Sequence, residues 1–295
     1  MEVTLIVNPF ASAVTEPRVR AVEAELGKVA HVRTLLTERP GHAVELAASA
    51  ETDAIVVFSG DGGFNEALNG VRDSVPLGVL PGGGTNVLAR ALGLSRHPEA
   101  AAREVAGALE AGRTRRISVG RVNGRRFGFN SGLGFDADLV RRVDALGRRE
   151  DGRRPGDLAF IAAATRLVAG HHGHFEPALE VQGLGRAAFA LVANCDPYSY
   201  AGPFAIHVAP EARFELGLDL VAPREVHGAA IARLLRYILR GKGQVQAGDV
   251  LYAHDLDRIE IACDRPLPLQ ADGEDLGDVE SAVFEAERGA VSVLI

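Results

Sequence analysis

Two cysteines, one methionine and an aromatic content of 5% are the sparse features of this 295-residue chain. Cys195 and Cys263 stand apart in apolar settings, offer no metal-ligand spacing, and read as small core residues of a protein kept in a reducing compartment. No apolar run approaches the roughly 18 residues that cross a bilayer, so no transmembrane helix is expected. The opening "MEVTLIVNPFAS" lacks the basic prelude and long apolar stretch of a secretory signal. A cytoplasmic location is therefore expected, and any lipid would be met at the inner membrane surface. Positive charge is also short: a net charge of −7 argues against nucleic-acid binding. No Gly-Lys-Ser/Thr follows a glycine turn, which excludes a lysine-bearing P-loop.

What remains is an ordinary soluble composition, 47% hydrophobic and 24% charged, with 34 glycines that call for many tight turns and a core of Ala, Val and Leu. Residues 1–116 alternate strand and helix signals, from "VTLIVN" through "HVRTLL" and "AIVVFSG" to "PLGVLPGGG". That order predicts a parallel sheet covered by helices. Beyond it, "ISVGRVNGRRFGF" reads as a hairpin around Asn123-Gly124, and short alternating runs from Phe175 to Val283 predict a β-rich second domain over 117–287. A helix near Val226–Leu239 interrupts them. The last strand, about 288–295, is free to return to the first domain.

In parallel sheets ligands bind beyond the carboxyl ends of the strands, where "VNP", "SGDGG" and "LPGGGTN" fall. Gly60, Gly62 and Gly63 allow positive φ and close backbone approach, so their N–H groups can face a phosphate. Asp61 within that turn would repel a phosphate unless a divalent cation lies between them. The same residues also read as a plain strand-to-helix turn with Asp61 or Asn65 as a cap. Gly82–Gly84 leads to Thr85 and Asn86 at a helix start, which is either an anion site or a simple N-cap.

Together these turns resemble the catalytic domain of diacylglycerol kinases, a family that includes bacterial soluble lipid kinases and sphingosine kinases and is related more distantly to NAD kinases. "GDGGFNE" (Gly60–Glu66) is similar to the family's G-D-G-T-x-N-E, with Gly63 at the threonine. "PGGGTNVLAR" (Pro81–Arg90) is similar to P-x-G-T-x-N-D-x-A-R, with Gly84 at the threonine, Val87 at the aspartate and Thr85 one place later. "VNP" (Val7–Pro9), "TERPGHA" from Thr37, "NSGLGFDADLV" (Asn130–Val140) and "QADGE" (Gln270–Glu274) resemble further segments in the family's order.

The resemblance implies an NAD-kinase-like α/β N-terminal domain, a sandwich-like β-rich C-terminal domain and a cleft between them. It implies ATP held by Asn8, Thr37, Gly60, Asp61, Gly62, Gly63, Asn65, Glu66, Gly83, Gly84, Thr85 and Asn86. Glu274 would take the proton of a lipid hydroxyl, with Asp272 placing catalytic magnesium or that hydroxyl and Asp61 as a further catalytic group and magnesium ligand. A second, structural magnesium site of the family is not expected here, because "FELGLDLV" places Leu216 at its aspartate and leucine cannot ligate a hard cation. The implied activity is ATP-dependent phosphorylation of diacylglycerol or a similar lipid, a step of phospholipid metabolism, and the resemblance leaves room for a homodimer. Two alternatives stand beside it: a kinase on a soluble acceptor such as NAD, and a nucleotide- or lipid-binding protein impaired in turnover by the lost threonines. His171, His172 and His174 in "GHHGH" read as a solvated loop or a metal site. Arg148, Arg149, Arg153 and Arg154 read as a charged loop or a contact with anionic head groups.

Overall fold

The computed structural model describes residues 1–147 and 156–295 and divides into two units, Met1–Ser118 with Gly289–Ile295, and Val119–Arg288. The arginines at 148, 149, 153 and 154 lie outside the described residues.

In the first unit β1 (Glu2–Val7), α1 (Glu16–Leu26), β2 (His31–Leu36), α2 (His42–Ser49), β3 (Ala54–Ser59), α3 (Asp61–Gly70) and β4 (Leu77–Pro81) follow one another. They continue into α4 (Val87–Ala91), α5 (Pro98–Glu110) and β5 (Thr114–Val122), whose residues from Val119 on belong to the second unit. The strands pair in parallel in the order β2-β1-β3-β4, and the chain's end joins them where Val293 pairs in parallel with Leu77. Every residue of β3 is buried, as expected of a strand of Ala, Ile, Val and Phe in a sheet covered on both faces. Because β1 lies between β2 and β3, the connections after β1 and β3 run to opposite sides, and the carboxyl ends of these strands border the crevice that such a reversal creates.

The second unit holds β6 (Arg125–Phe127), β7 (Asn130–Leu133), α6 (Phe135–Asp144), α7 (Asp157–Gly170), β8 (Leu179–Val181), β9 (Gly185–Ala187) and β10 (Ala190–Ala193). β11 (Ser199–Ala201), β12 (Phe204–Ile206), β13 (Leu218–Pro223), α8 (Gly228–Arg240), β14 (Val250–Leu256), β15 (Arg258–Ala271) and β16 (Glu274–Leu294) complete it, the last strand running on into the first unit. Antiparallel pairing gives the order β14-β13-β10-β7-β15-β16. Asn123 and Gly124, at φ 46° and 91°, close the β5–β6 hairpin as their side chains predict. The sequence suggests short runs where the structure has the long strands β15 and β16. Register shifts between Ala262 and Leu267 and between Pro268 and Gln270 break the alternation, so one strand reads as two.

Candidate active site

In the first unit the turns after β1, β3 and β4 touch. Ala13 N donates to Gly82 O at 2.8 Å, and Gly82 N donates to Ser59 O at 2.7 Å. A Cβ on Gly83 would stand 2.8 Å from Gly60 Cα, so both positions require glycine for the turns to meet. The glycines do not serve positive φ here. None of Gly60, Gly62 and Gly63 adopts it, and α3 starts at Asp61 rather than near Asn65, so Gly62 and Gly63 form its first turn. Gly63 is instead small because a Cβ there would lie 2.1 Å from Ser59 Oγ. That hydroxyl is buried and has no hydrogen-bond partner among the described residues. Sequence reasoning missed Ser59. The serine directly before the Gly-Asp-Gly triplet was the available signal.

The polar residues around this crevice largely hold its walls. Asn86 Oδ1 accepts from Gly83 N and its Nδ2 donates to Gly83 O, each at 2.8 Å, closing the second glycine turn on itself. Leu88 N donates to Asp61 Oδ1 at 3.3 Å, which ties the start of α4 to the first turn. Glu66 accepts from Gly41 N at 2.8 Å and Ala43 N at 3.1 Å, so it caps α2 and fixes the loop that follows Thr37. Thr37 is buried, its N–H bonded to Val7 O. Asn8 Oδ1 accepts from Phe10 N at 3.0 Å. Asn65 lies on the buried face of α3, with Asn69 Nδ2 donating to its carbonyl at 2.8 Å. Gly84 is exposed, and Thr85 beside it is half-buried.

In the second unit Asp272 and Gly273, at φ 49° and 77°, form the tight turn from β15 to β16, where Ala271 pairs with Glu274. The buried Asp272 carboxylate accepts from Gly128 N at 2.6 Å, Phe129 N at 3.0 Å and Asn130 N at 3.1 Å. A carboxylate engaged by three amides anchors the turn to β7 and keeps its charged form favoured. Glu274, next along and only partly buried, is ion-paired with Arg125. Beneath the turn Gln270 Nε2 donates to Asp136 Oδ2 at 2.6 Å and to Asn130 Oδ1 at 3.0 Å, and Tyr198 OH donates to Asp136 Oδ2 at 2.9 Å.

Burial raises the Asp136 pKa despite those donors. A carboxyl group with a raised folded-state pKa contributes most stability below its unfolded value and loses that contribution as pH rises through the folded value. Asp136→Asn is therefore expected to gain in Tm relative to the wild type as pH rises from 4 to 8. Calorimetry at constant ionic strength checks this, and a gap that stays constant with pH contradicts it.

A cavity of about 650 Å³ opens in the same unit, lined by Phe135, Phe175, Phe189, Leu167 and Leu267 together with Arg141 and Arg265. His171, His172 and His174 line it too. The His171 ring stacks on Phe175 at 4.6 Å, and His174 lies 3.4 Å from Glu225. Among the described residues no group of three His, Cys, Asp or Glu side chains is placed to hold a metal ion. Around Leu216, the buried Asp219 accepts from Tyr252 OH at 2.9 Å, His254 Nδ1 at 2.8 Å and Asp255 N at 3.1 Å, so protein donors satisfy it. Cys195 is buried, and partial burial pushes the Cys263 thiol up to about 11.

Residues 2–122 match the family model of the diacylglycerol kinase catalytic domain, and residues 131–295 that of the YegS C-terminal NAD kinase beta sandwich-like domain. The chain belongs to the diacylglycerol kinase family of lipid kinases. It is 29% identical over 240 residues to a diacylglycerol kinase of Bacillus subtilis, covering 79% of this chain and 75% of that one. It is 31% identical over 180 residues to a diacylglycerol kinase of Mycobacterium tuberculosis, covering 56% of each. A Streptococcus pneumoniae protein 32% identical over 144 residues is covered for 46% of its own length. The crystal structure of a diacylglycerol kinase from Bacillus anthracis superposes with a TM-score of 0.71 at 19% identity, covering 99% of this chain and 96% of that one, a likeness of fold.

Proposed function

We propose that this protein is an ATP- and magnesium-dependent lipid kinase that phosphorylates a hydroxyl of diacylglycerol or a similar lipid at the cytoplasmic face of a membrane. The observation that carries the nucleotide assignment is the meeting of the turns after β1, β3 and β4 around the buried, unpartnered Ser59 hydroxyl. A buried hydroxyl without a partner is costly, and a phosphate oxygen would satisfy it. The N–H groups of Gly62 and Gly63 in the first turn of α3 would add donors and the positive end of a helix dipole. Ser59 thereby stands in for the hydroxyl that Gly63 lacks. Asp61 would hold magnesium against the phosphates, which fits a cation held by one or two carboxylates and substrate oxygens rather than by an all-protein cage. When bound, that ion neutralises phosphate charge during transfer.

On the acceptor side the cavity walled by Phe135, Phe175 and Phe189 would take the acyl chains. Glu274 would take the hydroxyl proton as the hydroxyl oxygen bonds to the γ-phosphorus and the bond to the ADP oxygen breaks. Asp272, fixed by three amides, would hold the turn that presents Glu274. The acceptor is tested by giving the protein Mg·ATP with diacylglycerol in mixed micelles or with NAD. Product from the lipid alone supports the reading, and product from NAD alone overturns it.

The Ser59–Gly63 contact makes its own prediction. Ser59→Ala is expected to weaken ATP binding about tenfold or more, the range of a hydrogen bond to a charged group. Gly63→Thr alone should destabilise by about 1–3 kcal/mol through overpacking, and S59G/G63T should recover much of that loss. Calorimetric binding and denaturant unfolding check both parts. Strict additivity of the two substitutions would contradict the contact.

A further inference from the structure

The chain is acidic overall, yet between Glu225 and Asp249 it has no acidic residue and carries Arg233, Arg236, Arg240 and Lys242. Most of this stretch is α8, whose two faces differ sharply. The inner face packs Ile231 and Leu234 onto Ala188, Phe189 and Val226 beside Phe135 and Phe175, so the helix backs the aromatic wall of the cavity. Ile238, with Leu234, packs on a neighbouring core cluster. The outer face presents Ala229, Ala232, Leu235, Arg236, Leu239 and Arg240 to solvent, with Leu235 54% and Leu239 64% exposed. β12, which packs against α8, leaves Phe204 69% exposed. Arg233 is paired with Asp249, but among the described residues no carboxylate pairs with Arg236, Arg240 or Lys242.

Leucines one helical turn apart, flanked by arginines at the same spacing, are the pattern of a helix lying in a lipid interface. The apolar side chains enter the head-group boundary while the cations meet anionic lipid. We propose that the outer face of α8, with Phe204 beside it, docks the protein on an anionic lipid bilayer. The proposal rests on the lipid-kinase reading for its purpose: the helix that touches the bilayer is the one that backs the proposed acyl cavity. Charge complementarity selects the partner, because a cationic helix face from a segment without acidic residues fits a negative surface and repels the same face of another copy.

The test is co-sedimentation with vesicles of phosphatidylcholine, alone or mixed with phosphatidylglycerol, without ATP or diacylglycerol. The wild type should bind the anionic vesicles and release them as salt rises, since exposed charges are screened over about 10 Å at 0.1 M. R236Q/R240Q should weaken binding by about 25-fold, from about 1 kcal/mol per cation and tenfold per 1.4 kcal/mol. L235Q/L239Q should weaken it by about tenfold or more through lost apolar insertion. Both pairs are exposed, so circular dichroism and Tm should stay at wild-type values. Failure of the wild type to bind anionic vesicles, or wild-type binding by both variants, overturns the proposal. So does a dimer in sedimentation velocity that L235Q/L239Q converts to monomer while vesicle binding persists. Turnover of a short-chain, water-soluble diacylglycerol should be the same in all three proteins. Its absence from all of them would count against the lipid-kinase reading and leave the docking face to the vesicle data.

Discussion

Glu274→Gln is expected to lower kcat by about 10²–10⁴-fold, the usual contribution of a positioned proton acceptor. The substitution keeps the shape of the side chain and leaves an oxygen for Arg125, so the fold should hold; a partly exposed ion pair contributes only about 0–1 kcal/mol. ATP affinity should change little, because none of the turns around Ser59 involves this residue. Single-turnover kinetics on micellar lipid, beside calorimetric ATP binding, measure both quantities. A variant with wild-type kcat would remove Glu274 from the chemistry. A variant with normal kcat but poor ATP binding would move it to the nucleotide side.

The second large effect belongs to Asp61. Asp61→Asn retains an oxygen to accept from Leu88 N but loses the charge that would hold magnesium. Turnover should fall by about 10²–10³-fold, as when one electrostatic stabiliser of a developing charge is lost. Thermal stability should stay near wild type. Raising magnesium should partly restore turnover, and that recovery separates a metal role from a purely structural one. Loss of turnover accompanied by a large fall in Tm would instead make Asp61 a structural cap.

The parts of this molecule legible in the sequence are those whose signals are local. The buried run Ala54–Ser59, the Asn123-Gly124 hairpin and the glycine turn at Gly60 each follow from residues within one segment. What was not legible depends on contacts between segments. Ser59 faces Gly63 only because α3 starts at once after Gly60, and a helix beginning with Asp-Gly-Gly is a poor prediction from propensity. Glu66 looks like a ligand in the motif, but the fold carries Gly41 and Ala43 to its carboxylate. Nothing in "QADGE" shows that the backbone of 128–130 arrives from far along the chain to donate to the Asp272 carboxylate. Three phenylalanines scattered between Phe135 and Phe189 give no sign in sequence that they wall one cavity.

The most direct measurement is lipid mass spectrometry after incubating the protein and magnesium with diacylglycerol micelles and ATP labelled with oxygen-18 in its γ-phosphoryl group. The account predicts a phosphorylated lipid that carries the label, formed by the wild type and strongly reduced in both Glu274→Gln and Asp61→Asn. Folded wild-type protein that binds Mg·ATP yet yields no labelled lipid, or labelled lipid formed equally well by both variants, would contradict it.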